Sequence, residues 1–260
     1  MIEKTTRTKS FLKKSAFSLL IALFTIGLSS FIIKKQDKIT IWMIGDSTMS
    51  IKAKDKYPET GWGVPFPNMY QENIQVVNKA RNGRSTKSFI REGSWEEVYS
   101  GMQKGDYIFI QFGHNDEKVQ KPTTGTQIPE YKGNLSNFVE GARIKGANPI
   151  LLTPIVRRVF EDGELIKTHG EYPEAVRVVA DSLNVPLIDL TKITRELLIE
   201  LGEEGSKKLF LHLPEGHKNY PKGVTDNTHL NEYGAQVITD LVVEELIRQN
   251  IPLKNSLKTN

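Results

Sequence analysis

Five short apolar runs, set between longer stretches of mixed polarity, constrain this chain's fold more than any other feature. Residues 39–44 read Ile-Thr-Ile-Trp-Met-Ile and stop at Gly45. Residues 75–78 form a weaker run, 106–112 a strong one, and 149–153 another that halts at Pro154. The fifth is 186–190. Near-continuous apolar runs suit parallel strands covered on both faces, whereas a sheet with one wet face alternates. Helical spacing fills the intervals at 131–145, 172–183 and 191–201. It is clearest near the end, where Val237, Ile238, Leu241, Val242 and Leu246 share one face. Strand–helix alternation predicts an α/β sandwich with helices on both sides of the sheet. Residues 157–166, with Asp162-Gly163 in the middle, read as a hairpin excursion. Residues 203–228 carry no recognisable element, and a loop that long usually serves function or moves. With 260 residues, no internal repeat and no linker, the chain has room for one domain or two small ones.

The first 36 residues differ in kind. Nineteen uncharged residues lie between Lys14 and Lys34, preceded by a basic segment. That order is how a secretory signal reads. The run is also close to the roughly 20 residues that span a bilayer. Gly27, Ser29 and Ser30 supply small residues, but no clear cleavage site follows. More basic residues precede the run than follow it, which places the N-terminus in the cytoplasm and the body outside. The expected organisation is a signal peptide or signal anchor over 1–36, one folded domain over 37–250 and a C-terminal tail over 251–260. The body is expected to be exported: periplasmic, secreted, or attached to the membrane through the leader and facing outward.

The formal net charge of +4 misleads, because the leader holds seven basic residues and one acid. From Asp37 onward 28 basic residues face 30 acidic ones, so composition gives no support to nucleic-acid binding. There is no cysteine, which excludes disulfides, thiolate nucleophiles and Cys-ligated metals.

In open α/β sheets ligands bind beyond the carboxyl ends of the strands. Gly45-Asp46-Ser47-Thr48 follows the first run, Arg81-Asn82-Gly83-Arg84-Ser85-Thr86 the second, and Gly113-His114-Asn115-Asp116 the third. Asp226-Asn227-Thr228-His229 leads into the last helix. Singly these are ordinary turn or cap signals. Together they supply acyl-transfer chemistry. A serine hydroxyl needs a base, and a base histidine needs a partner that fixes its tautomer. Ser47, His229 and Asp226 fill those roles. Fixed donors for the oxyanion are the Ser47 amide at a turn into a helix, the Gly83 amide and the Asn115 side chain. The Gly-x-Ser-x-Gly elbow is absent.

These four blocks resemble those of the SGNH (GDSL-like) hydrolases, and within them most closely the rhamnogalacturonan acetylesterases. Gly61-Trp62-Gly63, Ser88 to Gly93 and Thr168-His169-Gly170 add to the likeness, which covers about Thr40 to Glu245. The resemblance implies a three-layer α/β/α sandwich, flavodoxin-like, with a five-stranded parallel sheet. It implies removal of acetyl groups from galacturonic acid units of pectic rhamnogalacturonan, with no metal or organic cofactor. By the same resemblance Ser47 is the nucleophile, His229 the base and then acid, and Asp226 its orienter. Ser47, Gly83 and Asn115 form the oxyanion hole. The leader departs from free secreted members, and the lack of cysteine brings the chain nearer to bacterial than to fungal ones.

A metal set of His114, Asp116, Asp226 and His229 is set aside, because the last two already have a full role. For substrate contact the candidates are Arg84, next to the oxyanion glycine, His114 beside Asn115, and Trp62, either stacked on a sugar or in the core. Arginine forks match carboxylates, and galacturonate carries one per residue. Arg81, Lys87, Arg91, Arg157 and Arg158 are further basic neighbours, and His169 is a rim candidate. His212 and His217 read as loop histidines, and Trp42 as packing. The expected partner is an acetylated polysaccharide or oligosaccharide. Alternatives are a xylan-type or short-acyl esterase, a non-catalytic glycan-binding module on the same fold, and a membrane-anchored structural protein.

Overall fold

The computed structural model describes residues 38–258; the leader read over 1–36 lies outside them. In chain order the elements are β1 (Ile39–Gly45), β2 (Ile74–Asn78), α1 (Thr86–Arg91), α2 (Ser94–Gly101), β3 (Tyr107–Gln111), α3 (Ile128–Ile144) and β4 (Asn148–Leu152). There follow β5 (Phe160–Glu161), β6 (Glu164–Leu165), α4 (Tyr172–Ser182), β7 (Leu187–Ile188) and α5 (Leu190–Ser206). The last are β8 (Phe210–Leu213), β9 (Val224–Leu230) and α6 (Glu232–Arg248).

All five apolar runs become strands of one sheet, ordered β2-β1-β3-β4-β7. Every pairing in it is parallel, with Ile41 opposite Tyr107 and Gly45 opposite Gln111. Strand alternation sends apolar side chains to both faces. Ile41, Met43, Phe109, Ile150, Leu152 and Ile188 pack with Leu198 of α5 and Ile238, Val242 and Leu246 of α6. On the other face Ile44, Ile108, Ile110 and Leu151 meet Phe89, Val98, Phe138, Val139, Val176 and Val179 of α1 to α4. The result is a three-layer α/β/α sandwich with flavodoxin-like strand order. The chain steps from β1 outward to β2 and then crosses back to β3. A topological switch point therefore opens between β1 and β3, where such sheets bind ligands.

The hairpin at 157–166 is present as β5 and β6, with Asp162 and Gly163 both at positive φ (51° and 82°). That pair of left-handed residues is what a two-residue hairpin turn requires. The structure departs from the sequence reading at four points. First, 203–228 is not featureless: β8 and β9 pair antiparallel across it. The β9 sequence Val-Thr-Asp-Asn-Thr-His-Leu is too polar to announce a strand. Second, α1 and α2 were not legible, being only six and eight residues long. The α1 capping box uses Ser85 and Ser88, without the usual Glu or Gln at the fourth position. Third, Ser47 leads into a turn and not a helix. Fourth, α5 continues beyond Leu201 to Ser206, across a non-helical Gly202. The segment read as a tail forms a 3-10 turn at Pro252–Ser256, with Ile251 and Leu253 buried.

Candidate active site

Gly45 ends β1 where no side chain fits, since a Cβ would stand 2.5 Å from the Gln111 carbonyl oxygen on β3. The chain then turns tightly, with the Met49 and Ser50 amides donating to the Asp46 carbonyl at 3.3 and 3.2 Å. Buried Asp46 accepts from the Thr48 amide and hydroxyl, both at 2.9 Å. Burial pushes its carboxyl above the usual range, and the Thr48 hydrogen bonds oppose that. Gln111 donates to the Thr48 hydroxyl at 3.2 Å and accepts from the Trp62 indole at 2.6 Å. A polar chain from Trp62 through Gln111 and Thr48 to Asp46 thus braces the turn from below. Ser47 sits on top of it, 9% exposed.

Against Ser47, β9 carries Asp226 and His229. Asp226 Oδ1 accepts from the Thr228 and His229 amides at 2.7 and 2.9 Å. His229 Nδ1 lies 2.7 Å from Asp226 Oδ2, and Nε2 lies 3.0 Å from Ser47 Oγ. A carboxylate only accepts, so the ring proton resides on Nδ1 and Nε2 is left to accept from the serine hydroxyl. Burial pushes Asp226 upward, but hydrogen bonds from the His229 ring and from backbone amides outweigh it and hold the carboxyl down at about 2. The partner therefore stays ionised wherever a histidine titrates. Asn231, not Asp226 or His229, caps α6.

Gly83 has φ +74°, and a Cβ there would meet nothing within 4 Å. Backbone conformation, not crowding, is what calls for glycine. Asn115 Nδ2 donates to the Arg84 carbonyl at 3.1 Å, and Oδ1 accepts from Lys118 at 2.9 Å. The Asn115 side chain thereby stands against the Gly83-Arg84 loop. Asp116 ties the same two loops together by accepting from the Thr86 amide at 3.0 Å and hydroxyl at 2.6 Å. Its burial pushes the carboxyl up to about 7.

The three residues read as substrate contacts fare differently. Trp62 is fully buried, with its indole on Gln111 and its ring edge-on to Phe66, so it has no face for a sugar. His114 is 1% exposed and its Nδ1 pairs with His169 Nε2 at 3.0 Å. Burial pushes both histidines well below the ordinary range, so the pair is neutral and internal. His169 accordingly is not on the rim. Arg84 remains partly exposed, but its guanidinium is tied back to Glu92 at 2.9 Å and to the Asn82 carbonyl at 2.8 Å. Among the described residues no group of three or more His, Asp or Glu is gathered as a metal-ligand set.

The GDSL-like lipase/acylhydrolase sequence profile matches residues 43–237, most of the chain. The chain belongs to that family. This GDSL-like protein is a carboxylic ester hydrolase. It is 41% identical to the rhamnogalacturonan acetylesterase RhgT of Bacillus subtilis over 221 residues, covering 84% of this chain and 94% of that one. It is 34% identical to the probable rhamnogalacturonan acetylesterase YesY of the same organism, covering 84% and 96%. Among solved structures, protein YxiM of Bacillus subtilis superposes with a TM-score of 0.71 at 26% identity, over 83% of this chain but only 58% of its own. The acetylxylan esterase Axe2 of Geobacillus stearothermophilus shares the fold, with a TM-score of 0.60 at 21% identity over 80% of this chain and 94% of that one.

Two supports of the GDSL-like site had no sequence signal. Buried Arg158 reaches the Asn227 side-chain oxygen at 2.9 Å and the Ser206 hydroxyl at 3.1 Å, and also the Glu203 carbonyl. His212 Nε2 lies 2.8 Å from the same Asn227 oxygen. Both hold β9 at the residue between Asp226 and Thr228. His212, read as a loop histidine, is a strand residue of β8.

Proposed function

We propose that the protein is an exported serine esterase that removes acetyl groups from acetylated pectic polysaccharide of the rhamnogalacturonan type. The observation that carries the chemistry is the hydrogen-bonded line from Asp226 through His229 to Ser47. Ser47 Oγ attacks the acetyl carbonyl carbon while His229 Nε2 takes the hydroxyl proton. Negative charge gathers on the carbonyl oxygen, where the Ser47 and Gly83 amides and the second amide proton of Asn115 receive it. Asp226 stabilises the imidazolium. The tetrahedral adduct collapses, the C–O bond to the sugar breaks, and His229 returns its proton to the leaving alkoxide. Water then attacks the acetyl-serine with His229 again as base, and acetate leaves. The likeness to rhamnogalacturonan acetylesterases over nearly their whole length supports the choice of polymer. The basic and then apolar leader supports export.

The test is acetate release from acetylated rhamnogalacturonan and from acetylated xylan, by the wild-type chain and by Ser47→Ala. Release from the pectic polymer alone, abolished in the variant, is the expected result. Release from both polymers would reduce the substrate to acetylated carbohydrate in general. Release from neither, with folded protein, would remove both polymers as substrates and move the reading to another ester or to a glycan-binding role.

A further inference from the structure

We propose that Lys52 is a positioning residue that locks the two loops of the oxyanion hole to each other. This rests on the reading of Ser47 and Gly83 as oxyanion donors. Lys52 lies five residues beyond Ser47, in a stretch without helix or strand, yet its side chain is only 4% exposed. Its ammonium has three acceptors on three separate segments. One is the Ser47 carbonyl oxygen at 2.5 Å, the second Asn82 Oδ1 at 2.8 Å, the third Glu59 Oε1 at 2.8 Å. An ammonium carries three N–H bonds, so each proton has its own partner.

The geometry joins what the backbone leaves loosely joined. Ser47 follows β1 and Gly83 follows β2, and between the two strand ends the Arg81 amide donates to the Gly45 carbonyl at 3.0 Å. Beyond that bond the loops diverge into turns of their own. Lys52 grips the carbonyl of the residue that offers one oxyanion amide, and the side chain of the residue just before the other. Ser50 Oγ adds a second donor to Asn82 Oδ1 at 2.6 Å. Glu59 supplies the countercharge that a buried ammonium requires. The distance between two oxyanion donors decides how well a tetrahedral adduct is held, and small errors there cost rate more than binding. The Lys52 ammonium is turned onto these three acceptors, and its side chain is nearly buried.

The experiment measures p-nitrophenyl acetate hydrolysis by the full chain, by Ser47→Ala, Lys52→Met and Asn82→Ala, and by the double variant of the last two. Each is also given a thermal melt and titrated with a phenylboronic acid, which forms a tetrahedral adduct on a reactive serine. Lys52→Met should lower kcat about 100-fold with KM changed by no more than about threefold, as removal of an oxyanion donor does. Boronate affinity should fall in step with kcat/KM. Asn82→Ala, at an exposed position, should lose about tenfold in kcat, and the double variant should be no worse than Lys52→Met, because both cut one link. Unchanged kcat and boronate affinity in Lys52→Met would overturn the assignment. If that variant does not fold, a neutral Asn82→Ala overturns it alone. An active Ser47→Ala would instead overturn the reading of the site, which an inactive Ser47→Ala beside a fully active Lys52→Met leaves standing.

Discussion

At the scale of single residues, the proposed chemistry rests on three side chains whose roles differ in kind. Ser47→Ala should reduce turnover by about 10⁴-fold or more while leaving the melt unchanged, since one hydroxyl carries the nucleophile. Comparison of acetate release with the thermal midpoint checks both halves. Asp226 makes a different statement. Its carboxyl is held at about 2, below the ordinary 3.8. Ionised Asp226 therefore favours the folded state, a contribution complete above about pH 4 and lost as pH falls towards 2. Asp226→Asn should flatten the fall of stability over that window; parallel slopes for variant and wild type would contradict it. The pH dependence of activity turns on a different residue. His229 must be neutral to accept the serine proton, so turnover should decline on acidification. A rate indifferent to acidification would remove His229 from the base role.

At the scale of elements, the site depends on what lies beneath it. The polar chain from Trp62 to Asp46 connects the turn after β1 to the side chain of Gln111 on β3. Trp62→Phe keeps the packing against Phe66 but strips the indole proton from a buried Gln111 oxygen. That should cost about 1–3 kcal/mol of stability. Because the ring does not face the cleft, KM should stay put; a several-fold rise in KM with an unchanged melt would restore the sugar-stacking role. On the opposite side, Asn231 caps α6 through the Gly234 amide at 2.9 Å, immediately after the strand that carries His229. Asn231→Ala should cost about 1 kcal/mol. Thermal or urea unfolding reads both variants.

At the scale of the molecule, the arrangement of strands places chemistry and scaffold apart. The switch between β1 and β3 opens a crevice at the carboxyl edge, and the blocks after β1, β2 and β3 all converge there. The apolar strand bodies beneath that edge are covered on both faces. The leader belongs to this scale too. Fractionation of cells producing the full chain, beside a version starting at Asp37, should find the full chain outside the cytoplasm or on the membrane and the shortened one inside. Equal distribution would remove the leader's export role.

The five strands of the central sheet, the sandwich and the candidacy of Ser47, Asp226 and His229 were legible in the sequence alone, for a physical reason. Apolar runs and turn chemistry are local properties, and a parallel sheet dictates which loops meet at its edge. What only the tertiary structure decided is non-local. Trp62, His114 and His169 are polar enough by type to face a ligand, and only their neighbours from other layers enclose them. The polar β9 is a strand because β8 is there to pair with it. Lys52 looks like a surface lysine until Ser47, Glu59 and Asn82 close around its ammonium. Ser47 and His229, 182 residues apart, stand 3.0 Å from each other because folding brought β1 and β9 to one edge.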